Sequence, residues 1–137
     1  MASFSISNFE NETSIDFLSD VVLNGYGLIS ITLDKILDTE YRPDLLECEE
    51  ALLAAEFVAK AKGNPAHDFP EEAQEWFETY LPGGSAELRE VAGLAEKAAD
   101  AIDIIVTDSE LRDLWEDQPE FNQWFEAQVA LQKRILE

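Results

Sequence analysis

Apolar residues recur along this chain at intervals of three and four, the spacing of one face of a helix, and alternate as in a strand in one place only. Asn11 or Thr13 is placed to cap a first helix with the stripe Ile15, Leu18, Val21 and Val22, and Asn24-Gly25 closes it. The stretch Leu28-Ile-Ser-Ile-Thr-Leu33 alternates. It also places Ile29, Leu33, Ile36 and Leu37 at i, i+4, i+7 and i+8. A lone strand has no partner elsewhere, so the spacing predicts a helix reaching Asp38. Pro43 opens a third helix to Lys62, with Leu46, Leu52, Leu53, Ala55, Phe57 and Ala59 inside; its alanines suit a closely packed central position. Pro70 starts a fourth, with Ala73, Trp76, Phe77 and Tyr80 inward and Pro82-Gly83-Gly84 as its stop. Ser85 caps a long fifth helix through Leu88, Val91, Ala92, Ala95, Ala99, Ile102 and Ile105. Thr107-Asp-Ser-Glu110 has the form of a capping box before a sixth, which carries Leu111, Leu114 and Trp115. Pro119 begins the last, with Phe121, Trp124, Phe125, Leu131 and Ile135, and with Lys133 and Arg134 at its negative end.

The expectation is an all-α fold: one compact domain over residues 1–137, six or seven helices joined by short Gly/Pro turns, arranged as a bundle or a stack of helix pairs. Residues 1–10 form an irregular N-terminal segment. With 46% hydrophobic residues the chain can build a real core, so its charge does not imply disorder.

Charge changes the picture more than any motif. Nine basic and 30 acidic side chains leave a net charge of −21. Direct nucleic-acid binding is disfavoured, because phosphates need Lys and Arg, and so is an anionic membrane surface. No run approaches the roughly 20 apolar residues of a membrane span. The first 20 residues carry no Lys or Arg and no continuous apolar run, so no signal peptide is expected. A single cysteine, Cys48, excludes an internal disulfide. A cytoplasmic protein is the expected setting.

The acids are unevenly placed. Residues 1–34 hold five acids and no Lys or Arg; residues 43–59 also hold five and residues 63–88 hold six, again without a base. Residues 113–132 hold Asp113, Glu116, Asp117, Glu120 and Glu126, also without a base. Such segments create a broad negative potential that attracts a basic protein. General solubility, or adaptation to high salt, is the competing explanation.

Catalytic chemistry is sparse. The only histidine, His67, sits in a turn and could serve Cys48 as base, but free cysteines are usually buried and inert. Nucleophile-elbow, phosphate-loop, dinucleotide and zinc-protease motifs are all missing. One histidine excludes a di-iron bundle, and no EF-hand loop is present. Asp100 with Asp103, and Asp113 with Glu116 or Asp117, are one turn apart; a solvated helix face accounts for them more simply than a hard cation. No enzyme activity, cofactor or metal is expected. Trp115 and Trp124 fit the core better than an exposed hot spot.

Three stretches resemble a bacterial domain family of unknown function. Asn8-Phe-Glu-Asn-Glu-Thr-Ser-Ile-Asp-Phe-Leu18 is similar to the family's opening, which typically runs Trp-Gly-x-Gly, then Phe-(Asp/Glu)-Asn-Asp-x-Ala-x-Asp-(Phe/Trp)-Leu. Ala51–Ala59, continuing through Gly63, Pro65, Asp68 and Pro70 to Trp76, resembles its Ala-rich helix and following turn. Ser109-Glu-Leu-Arg-Asp-Leu-Trp-Glu116 resembles its C-terminal signature. The chain departs from the pattern where Ser3-Phe4-Ser5-Ile6 replaces the Trp-Gly-x-Gly turn, Asn11-Glu12 replaces Asn-Asp, and Ser14 replaces Ala. The resemblance implies no enzyme activity. Small acidic helical proteins of this type resemble immunity proteins carried beside secreted toxins in bacterial competition. The expected function is therefore stoichiometric neutralisation of a basic toxin domain, such as a nuclease. The expected partner contacts are Asp113, Glu116, Asp117 and Glu120, followed by Glu71, Glu72 and Glu75. The alternative is an acidic interaction module, or nucleic-acid mimic, that binds a basic host protein.

Overall fold

A computed structural model describes residues 6–38, 40 and 42–137. The Ser3–Ile6 departure from the family opening lies, Ile6 apart, outside them. Among the described residues the chain forms eight helices and no strand: α1 (Glu12–Asn24), α2 (Gly27–Leu37), α3 (Leu45–Ala61), α4 (Glu71–Tyr80), α5 (Ala86–Ala92), α6 (Ala95–Thr107), α7 (Glu110–Glu116) and α8 (Phe121–Leu136). The alternating stretch Leu28–Leu33 lies inside α2, so helical spacing wins there. The long helix expected from Ser85 is interrupted. Gly93 is a weak helix former, and from it Leu94 N–H reaches Val91 O at 3.0 Å, an i to i−3 bond that tightens the turn and separates α5 from α6. Counted as one interrupted helix, α5 and α6 leave seven, the upper of the six or seven expected.

Side-chain caps start α1, α3, α5 and α7, whereas α4 begins directly after Pro70 as expected. Asn11 Oδ1 accepts from Ser14 N at 2.8 Å before α1. Asp44, one residue after Pro43, caps α3: Asp44 accepts from Glu47 N at 2.8 Å, and Glu47 accepts from Asp44 N at 3.1 Å. At α7 the cap is Ser109 rather than Thr107, with Ser109 Oγ accepting from Arg112 N at 3.1 Å. Glu110 turns away from its own helix and accepts from Leu45 N at 3.0 Å, tying the start of α7 to the start of α3.

The middle of α3 is buried on every side, from Ala51 to Ala59, and this fits its expected central place. Helices α1, α2, α5, α6, α7 and α8 all pack on it. Helix α4 is held by rings instead: Phe57 of α3 meets Phe77 at 5.6 Å and Trp76 at 6.1 Å, with Phe69 at 5.7 Å. Trp115 and Trp124 stack at 5.8 Å with planes 10° apart, inside the core as the spacing predicts.

Three stripe assignments need correction. Leu46 and Tyr80 face solvent. In α1 the inward residues are Ser14, Phe17 and Val21, whereas Ile15 is 66% exposed and Val22 48%. The α1 stripe is thus rotated by one residue. The Ser14 hydroxyl fixes it, its one proton shared between Phe9 O and Asn11 O at 2.8 and 2.7 Å, and Phe17 enters the ring cluster on Phe57 at 6.1 Å.

Candidate functional site

The acids expected to meet a partner fall on two separate surfaces, toward opposite ends of α3. The α7–α8 set is partly engaged within the molecule. Asp113 Oδ2 lies 2.8 Å from Arg42 Nη2; the same guanidinium reaches Asp108 at 2.7 Å and donates to Ser109 O at 3.1 Å. The two carboxylates hold the Arg42 pKa above its ordinary value. Glu116 sits 3.9 Å from Arg112, one turn back on the same helix. Asp117 and Glu120 are exposed between α7 and α8, where Asp117 ends one helix and Glu120 precedes the next.

Glu71, Glu72 and Glu75 are exposed along α4 with Glu78, and none forms an ion pair among the described residues. Glu71 and Glu72 sit in the first turn, at the positive end of the helix dipole. They also rim a groove of about 500 Å³ between α4 and α1. Its floor is Leu53 and Phe57 of the core, and Ile15 and Leu18 of α1 form a wall. The arrangement is an apolar slot with a carboxylate rim and no basic side chain along it.

Glu56 is a polar group that no sequence motif singles out. This carboxylate is only 4% exposed at the centre of α3. A buried charge needs partners. Arg134 of α8 lies 3.3 Å away, and Asn8 Nδ2 donates to Glu56 Oε2 at 2.9 Å. Asn8 also exchanges side-chain hydrogen bonds with the fully buried Gln128: Asn8 Nδ2 donates to Gln128 Oε1 at 3.1 Å, and Gln128 Nε2 to Asn8 Oδ1 at 3.2 Å. Arg134 and Asn64 bond reciprocally through their backbone carbonyls at 3.1 and 3.0 Å. Ser7 Oγ donates to Asp68. This network joins the N-terminal segment, α3, the α3–α4 turn and α8 beside a polar cleft of about 470 Å³. Burial raises the Glu56 pKa despite Arg134 and Asn8, which act the other way. The available signal was a single acid inside the apolar run Ala51–Ala59.

Cys48 and His67 do not meet. Cys48 is buried in the first turn of α3 and His67 is exposed beyond its end, with roughly 20 Å of helix between the two positions. Burial pushes the Cys48 thiol up to about 11, unlike an activated nucleophile. Among the described residues no group of three or more His, Cys, Asp or Glu side chains is placed to hold a metal ion, and no helix is long and apolar enough to cross a membrane.

These features define an acidic all-α domain with an acid-rimmed apolar groove. The chain belongs to the family described as domain of unknown function DUF4259, which matches residues 3–127. The match ends within α8, before Gln128 and Arg134. No curated protein and no solved structure matches the chain.

Proposed function

We propose that the chain is an immunity protein that binds a basic bacterial toxin domain in a one-to-one complex and blocks it. The observation that carries this reading is the set of exposed, base-free carboxylates on α4, uncompensated by ion pairs and bordering an apolar groove. A nuclease must attract phosphate, so its cleft is positive, and an acidic helical surface can occupy that cleft. Long-range attraction speeds encounter, and apolar anchors supply residence time.

The test is co-expression. The reading frame adjacent to this chain's gene is induced in a susceptible host, with and without the chain. Survival only with the chain, and an association rate that falls steeply with salt, support neutralisation. Killing that the chain does not alter overturns it, and a basic host protein then becomes the partner to seek.

A further inference from the structure

The outer face of α1 is more apolar than an exposed helix face needs to be. Phe17 and Val21 already fill its inner side, yet Ile15, Val22 and Leu23 remain 66%, 48% and 82% exposed. Ile15, Leu18 and Val22 follow i, i+3 and i+7, so they form one stripe beside the groove. An uncovered stripe that leads into a slot floored by Leu53 and Phe57 is a docking surface in shape.

Charge selects the occupant. The stripe is flanked on α1 by Glu12, Asp16 and Asp20, and the slot is rimmed by Glu71 and Glu72. Neither α1 nor α4 contains a Lys or Arg. A second copy of this chain would bring another −21 charge against the same acids. An anionic membrane is repelled for the same reason.

Resting on the neutralisation reading, we propose that the α1–α4 groove is the docking site for a cationic amphipathic segment of the protein partner. An apolar side chain of that segment enters over Leu53 and Phe57, and its Lys or Arg side chains meet Glu71, Glu72 and the α1 acids. The burial of Ile15 and Leu18 gives affinity, and the carboxylates give orientation and speed.

The probe is a fluorescent 18-residue peptide of Leu and Lys in helical amphipathic order, titrated onto the full chain. A scrambled isomer of equal charge is the comparison. Ordered peptide binding at least tenfold tighter than the isomer is expected. Ile15→Glu adds a negative charge at an exposed position, yet should weaken binding about tenfold by removing apolar contact. The double variant Glu71→Lys with Glu72→Lys should weaken it further, while Asp117→Lys with Glu120→Lys, an equal change of charge on the other surface, should have less than a threefold effect. Circular dichroism verifies that each variant is folded. Equal binding of the isomer, or equal losses from the two double variants, overturns the groove. The toxin assay separates the two proposals. Neutralisation lost in the Asp117/Glu120 variant and kept in the groove variants refutes the groove alone. If wild-type chain neutralises nothing, the immunity reading fails and the peptide titration still decides the groove.

Discussion

Replacing Glu56 separates what a buried carboxylate does through its shape from what it does through its charge. Glu56→Ala removes an ion pair to Arg134 at 3.3 Å and a hydrogen bond from Asn8 at 2.9 Å, and it leaves a gap in the most buried helix. Removing one partner of a fully buried pair costs about 3–5 kcal/mol. The Arg134 side chain is 28% exposed and regains some water, which lowers the ion-pair share. A loss of about 3 kcal/mol is expected, or about 10 °C in Tm for a domain of this size. Glu56→Gln keeps the shape and an acceptor for Asn8, so its loss near pH 7 should be about 1 kcal/mol or less. The pH dependence follows from burial. Because the folded-state pKa lies above the ordinary 4.5, the folded chain keeps this proton after the unfolded chain has lost it. The stability due to Glu56 is therefore complete below about pH 4.5 and declines as pH rises through the folded-state pKa. The Gln variant has no such decline, so its Tm relative to wild type should improve from pH 4 to pH 7. Calorimetry of the three proteins across that range is the assay. A Gln variant as unstable as Ala, or a wild-type-to-Gln gap that does not move with pH, would refute the reasoning.

Two further outcomes test the helix scaffold. Gly63 ends α3 at φ 92°, with open space where a side chain would go, so Gly63→Ala should lower stability by roughly 1 kcal/mol through backbone conformation alone; an unchanged denaturant midpoint would count against it. Cys48 is fully buried with its thiol pushed up to about 11, so an aromatic disulfide reagent at pH 8 should react only as the chain opens, at a rate that rises with denaturant. A stoichiometric burst on mixing with native protein would contradict that burial.

The helices were legible because their signals are local. Period, caps and stops lie within a few residues, and even the ambiguous Leu28–Leu33 yielded once its neighbours Ile36 and Leu37 were counted. The face of α1 was not legible. Ile15, Phe17, Leu18, Val21, Val22 and Leu23 spread around more of the helix than one contact can cover, and the choice of inner side rests on Ser14 and on the ring cluster of α3. The contacts that tie the fold together were also hidden. Arg42 reaches Asp113 across 71 positions, and Asn8 reaches Gln128 across 120, so no local pattern announces either. The acids on α4 were legible as a charged face, but the groove they rim needs α1, whose exposed apolar stripe has the spacing of an inward one.

The distribution of the few cations bears on what the acids are for. Arg42, Lys97, Arg112 and Arg134 all form ion pairs, and three of these join separate parts of the chain: Arg42 to the α6–α7 region, Lys97 to Asp34 of α2 at 2.8 Å, and Arg134 to Glu56 of α3. Lys60 covers the Phe69 ring at 5.9 Å, and Arg89 donates to Gly84 O at 2.8 Å. Lys and Arg are thus missing from α1 and α4, and most of those elsewhere are engaged within the fold. Solubility alone would favour acids on those two helices, but it gives no reason to leave Ile15, Val22 and Leu23 in water beside them. An interface with a cationic amphipathic partner accounts for both features at once, because the carboxylates and the uncovered apolar stripe then serve the same contact.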